Sequence, residues 1–144
     1  MCIRDSLTSD AVSSTTTLAD VSGMSFSIGA SEVWAFSAFL IVDADTAPDY
    51  KVGWTYPAGC TMSWGPTGDP AHNLTGSSTW NYALTQADAA PRAAAGVGND
   101  FIDTYEGTIV NSTTSGTIQL QFAPNSVGSA TLKANSHIIF TKVS

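Results

Sequence analysis

The run Gly116–Ala123, GTIQLQFA, alternates with a period of two: Ile118, Leu120 and Phe122 fall on one side, Thr117, Gln119 and Gln121 on the other. Side chains of an extended chain point to opposite faces in turn, so such a run packs as a half-buried strand; on a helix the same apolar residues would scatter around the axis. FIDTYEGTIVN precedes it across the polar turn STTSG, and the two predict an antiparallel hairpin. YKVGWTY sets Tyr50, Val52, Trp54 and Tyr56 against Lys51, Gly53 and Thr55. TTTLADV and MSFSI are shorter alternating runs separated by Ser22-Gly23, a turn dipeptide. TMSWG, TWNYAL, SATLKA and HIIFTKV supply further strands, with PAGC as a break. The alanines of TQADAAPRAAAGVGND are interrupted by Pro91 and Gly96, which predicts an irregular loop rather than a helix. About nine or ten short antiparallel strands with no repeat give an all-β chain, an antiparallel β-sandwich of jelly-roll type.

One strand departs from simple alternation. In EVWAFSAFLIVD, Trp34, Phe36, Leu40 and Val42 share one face while Val33, Ala35, Phe39 and Ile41 share the other, so both faces are apolar. One face belongs to the sandwich core, and the second needs another surface to lie against. Expected to be buried are Trp34, Phe36, Leu40, Val52, Trp54, Ile109, Ile118, Leu120, Phe122 and Ile139.

A chain of 144 residues is one domain's worth, and a domain of that size buries roughly 70% of its unfolded surface. Charged residues make up only 12% of it, with five Lys and Arg against twelve Asp and Glu, for a net charge of −7. That balance repels nucleic acid and anionic membrane surfaces, so neither is expected as a partner. The longest apolar run, Val33 to Val42, is about half of the roughly 20 residues a bilayer-spanning helix requires, so no membrane insertion is expected.

The opening MCIRDS has neither a signal-peptide layout nor a place in the downstream alternation. It is similar to a hexapeptide that often opens reading frames assembled from environmental, metagenomic DNA, which implies a read artefact on a truncated parent. Residues 1–14 are therefore expected to be a non-native or disordered leader, and 15–144 the sandwich. Without Cys2, Cys60 stands alone, and neither a disulfide framework nor a thiolate metal site is expected.

GMSFSIGASEVWAFSAFL is similar to the entry of C1q/TNF-type jelly rolls, from which it departs at Glu32 and Val33. TLADVSGMSFSI, EVWAF, YPAG, GTIVN with SGTIQLQFAPN, and NSHIIFTKV together resemble a recurrent β-domain of tailed-phage virion proteins, over nearly everything after Thr15. In its late hairpin Gly107, Val110, Asn111, Gly116, Thr117, Gln119, Leu120, Gln121, Ala123, Asn125 and Ser136 match, while Phe122 and Pro124 depart. The resemblance implies a structural module and carries over no active-site residue. The outward glutamines are expected to hydrogen-bond across subunits.

Asp43, Asp45 and Asp49 offer oxygen ligands for Ca²⁺, but lack the glycine and distal glutamate of an EF-hand loop, and turn-forming Asx side chains explain them without an ion. No metal and no other cofactor is expected for folding. His72 and His137 are the only imidazoles, and no nucleophile motif such as G-x-S-x-G occurs, so no catalytic residue is assigned and the chain is read as not an enzyme. Trp64, His72, Trp80 and Tyr82 border the long loops and are the candidate ligand or receptor contacts; core or loop packing is the competing reading for the aromatics. Asn73 and Asn111 head N-x-[ST] triplets, which matter only in a secretory pathway.

These observations point to a non-enzymatic phage virion structural module, a tail, fibre or decoration protein. It would act as a homotrimer beside other virion proteins, located in the phage particle. Its loops Gly65 to Ser78 and Thr85 to Asp100 would face a host-surface glycan or protein. The alternative is a carbohydrate-binding or adhesin-like sandwich of a secreted or cell-surface bacterial protein. Tail or capsid genes in neighbouring reading frames would favour the first, a glycoside hydrolase or signal peptide the second.

Overall fold

The alternating runs become strands in a computed structural model that describes residues 1–45, 49–67 and 83–144. The described strands are β1 (Cys2–Ser6), β2 (Ala11–Ser13), β3 (Ala19–Ile28), β4 (Val33–Ala44), β5 (Tyr50–Thr55), β6 (Thr61–Pro66), β7 (Leu84–Thr85), β8 (Ala90–Arg92), β9 (Phe101–Val110), β10 (Gly116–Ala123), β11 (Ala130–Leu132) and β12 (His137–Lys142). All pairings among them are antiparallel. One sheet runs β1-β12-β4-β9-β6-β7, with β11 continuing the β12 side of β4 and β2 outside it; the other runs β3-β10-β5-β8. From β3 to β6 and again from β8 through β10 to β11 the chain alternates between sheets, the wrapping of a jelly-roll sandwich.

The core lies between the sheets. Trp34, Phe36, Leu40 and Val42 of β4 face Phe26 of β3, Val52 and Trp54 of β5, and Ile118, Leu120 and Phe122 of β10, all buried. At Gly107 a side chain has no room: a Cβ there would stand 2.5 Å from the Phe36 ring and 2.6 Å from Trp64 Cβ. The glycine lets those two residues on the flanking strands close over β9.

Several expectations are corrected. The leader does not lie outside the fold: Cys2–Ser6 pairs in register with β12, and Leu7 is buried. Main-chain pairing asks only for an extended chain, which explains why a segment without the sandwich's side-chain pattern is accepted. Ser22-Gly23 is not a turn between strands but a bulge within β3, where the β10 register slips between Gln119 and Gln121 and Gly23 adopts φ 81°. Ile139 is 36% exposed, because Ile138 and Phe140 are the inward residues of β12. The loop expected over Thr85 to Asp100 contains the short strand β8. Of TWNYAL only Ala83 and Leu84 fall within the described residues.

Candidate interaction surface

The outward face of the larger sheet is built by register. Across it run the rows Arg4–Ile139–Ser37–Glu106–Gly65, Ser6–His137–Phe39–Thr104, and Cys2–Thr141–Ala35–Thr108–Ser63. Val33 meets Val110 and Ile41 meets Ile102 at the two ends of the β4–β9 pair. Val33, Ala35, Phe39 and Ile41 are half-buried by neighbours in their own layer, and His137 stacks on Phe39 at 5.2 Å. Ile102 is 60% exposed and Val110 45%. Among the described residues no element lies over this face. Arg4 lies on β1 and Asp43 at one end of β4, while Glu106 stands in the middle of the face among small hydroxyl and apolar side chains.

The outward glutamines have partners inside the chain. Gln119 Nε2 donates to the Val21 and Met24 carbonyls at 2.6 and 3.3 Å, holding the β3 bulge, and Gln121 Nε2 donates to Asp20 Oδ1 at 2.9 Å. A single sequence cannot show that a bulge will place carbonyls within a glutamine's reach.

The most polar cluster lies between the sheets. Arg92 donates through Nε and Nη2 to Asp103 at 2.9 and 2.8 Å; the Tyr105 hydroxyl donates to Asp103 Oδ2 at 2.6 Å, and the Tyr50 hydroxyl donates to the same oxygen. All four residues are buried. Burial, then the Asp103 carboxylate, pushes the Tyr50 phenol well above its ordinary range; burial, then Tyr50 and Asp103, does the same at Tyr105. Both phenols thus remain protonated donors, and the carboxylate's oxygens are occupied by four donors from within the core. The arrangement ties β5 and β8 of one sheet to β9 of the other. The sequence held no signal for it, because its members come from three strands that meet only in the folded chain.

Asp43, Asp45 and Asp49 serve loop backbone. Asp43 Oδ1 accepts from Gly98 N at 2.9 Å, Asp49 Oδ1 from Ala94 N at 3.0 Å, and the Asp45 carbonyl from Asp49 N at 3.1 Å. Among the described residues no three His, Cys, Asp or Glu side chains gather as a metal-binding set. Trp64 is 2% exposed, packs edge-on to Trp54 and donates from Nε1 to the Thr85 carbonyl at 2.8 Å. His72, Trp80 and Tyr82 lie outside the described residues, as does Asn73. Asn111 is buried and its Nδ2 donates to the Gly29 and Thr114 carbonyls. Cys60 is buried, which pushes its thiol above the ordinary range and away from nucleophilic use.

No family model matches the chain, and no curated protein matches its sequence. Among solved structures it is similar to a chain of "Structure of infectious bursal disease virus Gx strain", with 11% identity and a TM-score of 0.31, over 97% of this chain and 40% of that one. At that identity and TM-score the likeness carries nothing about function.

Proposed function

We propose that this chain is a non-enzymatic structural module of a virion, of the tail, fibre or decoration kind, that associates with copies of itself through the outward face of the larger sheet. The exposed apolar residues of that face, over which no element lies among the described residues, carry the reading. In a chain with a net charge of −7, a sheet face with Ile102, Val110 and Ile139 outward and charged at Arg4, Glu106 and Asp43 has the low charge density an interface requires. The resemblance of the late hairpin to tailed-phage virion β-domains supplies the setting, and a homotrimer is the expected closed assembly. Three copies would present weak receptor contacts in parallel, so that avidity replaces affinity. The carbohydrate-binding alternative finds no support at Trp64, whose indole belongs to the core.

Sedimentation of the full chain should give about three copies per particle if a closed ring forms. Ile102→Lys combined with Ile139→Lys should return the particle to a single copy while leaving the melting temperature near that of the parent. A wild-type monomer at high concentration would overturn the reading.

A further inference from the structure

The first residues form two strands on one sheet edge. β1 pairs with β12 from Cys2↔Thr141 to Ser6↔His137, and β2 pairs with β11 from Ala11↔Leu132 to Ser13↔Ala130. The stretch between them stays on the same track: Leu7 N donates to the Ser136 carbonyl and Asn135 N to the Leu7 carbonyl, both at 2.9 Å. Asp10 meets Lys133 Nζ at 2.8 Å and accepts from Ala134 N at 2.8 Å. Met1 to Ser13 is thus an arm of two strands joined by a bend at Thr8 and Ser9, on the order of 30 Å long and laid along one sheet edge.

Its attachment is mostly main chain. Leu7 is its one buried side chain, with Ile3 and Ala11 partly packed against the core, while Cys2, Arg4, Ser6 and Val12 are exposed. Asp5 adds one specific contact, accepting from Ser25 N on the bulged strand β3 at 2.8 Å. Beyond the arm, Ser14 to Thr17 are all exposed hydroxyl residues that lead to β3 in the other sheet.

We propose that Met1–Ser13 is an exchangeable arm, and that the β11–β12 edge accepts the arm of a second copy in place of its own. Every contact the arm makes within its chain is available to an arm from a neighbour, because a strand added to a sheet edge is recognised through backbone pairing. Detachment exposes one leucine and a ladder that re-forms on the acceptor, and the hydroxyl-rich segment after Ser13 supplies the hinge, so concentration decides between the two forms. The slot requires an extended chain with an apolar residue in the Leu7 position and acceptors in the Asp5 and Asp10 positions. The exchange does not depend on the face-to-face association proposed above.

Cys2 lies opposite the exposed Thr141, so Thr141→Cys sets a disulfide that records which chain supplies the arm. Isotopically heavy and light full-length chains of this variant are unfolded together, refolded at a series of concentrations, oxidised and digested, and the disulfide-linked peptides that carry Cys2 and its new partner on β12 are weighed. Exchange predicts mixed-isotope pairs whose share rises with refolding concentration. A second variant, Val12→Cys with Thr131→Cys, reads the other half of the arm at another directly opposed pair and should give the same dependence. Same-isotope pairs alone at every concentration would overturn the exchange, and failure of either disulfide to form would overturn the seating of the arm. A trimer by sedimentation with only same-isotope pairs would keep the face association and remove the exchange.

Discussion

Glu32 gathers three donors on one carboxylate: Gly29 N at 2.8 Å, Trp34 Nε1 at 3.0 Å and Lys142 Nζ at 2.6 Å. The Lys142 hydrogen bond first, then those from Trp34 and Gly29, lower its pKa from 4.5 to about 2. A carboxylate held down in this way stabilises the fold above its unfolded value, and the contribution fades as pH falls through the folded one. Glu32→Gln should therefore flatten the acid limb of the melting-temperature profile between pH 4.5 and about 2, leaving its shape at neutral pH unchanged. An unaltered acid limb would show that the three donors find water equally well. The sequence marked Glu32 only as a departure from the C1q/TNF-type pattern; its role needs Lys142, at the far end of the chain, to arrive beside it.

At the scale of elements, β11 and β12 lie on the same edge of β4, and Ser136 bridges the gap between them. Ser136 is fully buried; its Oγ donates to the Ile41 carbonyl at 3.4 Å, which also accepts from Lys133 N at 2.8 Å, and accepts from Ile41 N at 2.9 Å, supplying the acceptor that this N–H needs at the gap. Ser136→Ala should cost about 1–3 kcal/mol, the typical penalty for an orphaned buried polar group, read as a lower urea midpoint with an unchanged slope. The hairpin, the two-faced β4 and most inward residues were legible because alternation is a local signal that β-pairing preserves. Irregularities were not: Ser22-Gly23 reads the same in a turn and in a bulge, and only the register of β10 distinguishes them. Ile139 was misplaced because HIIF offers two apolar neighbours, and pairing with β4 decides which of them faces in.

For the molecule as a whole, the Arg92–Asp103 pair with Tyr50 and Tyr105 is a polar tie between the two layers. Asp103→Asn would leave the buried guanidinium without its counter-charge, and removing one partner of such a pair costs about 3–5 kcal/mol. The loss should appear in urea as a single transition, with fluorescence and far-ultraviolet circular dichroism coinciding, since both sheets hold the cluster. A loss below about 1 kcal/mol, the scale of an exposed pair, would mean that water reaches the site. The candidate contacts were less legible than the fold. Trp64 belongs to the core, whereas the outward face emerges only when residues from β12, β4 and β9 are set side by side.

The aromatic side chains between the layers touch in series: Trp34 to Phe26, Phe26 to Phe140, Phe140 to Phe36, Phe36 to Trp54, Trp54 to Trp64 and Trp64 to Tyr105, with centroids 3.8 to 6.2 Å apart. Rings at these separations and tilts are in direct contact, close enough to behave as coupled chromophores. Excitation of the phenylalanine and tyrosine rings passes downhill to the indoles, and Trp54 and Trp64, 6.0 Å apart, exchange it between themselves, so the emission of the native protein reports on the gap between the sheets. The chain carries its own optical gauge of whether its two layers are closed.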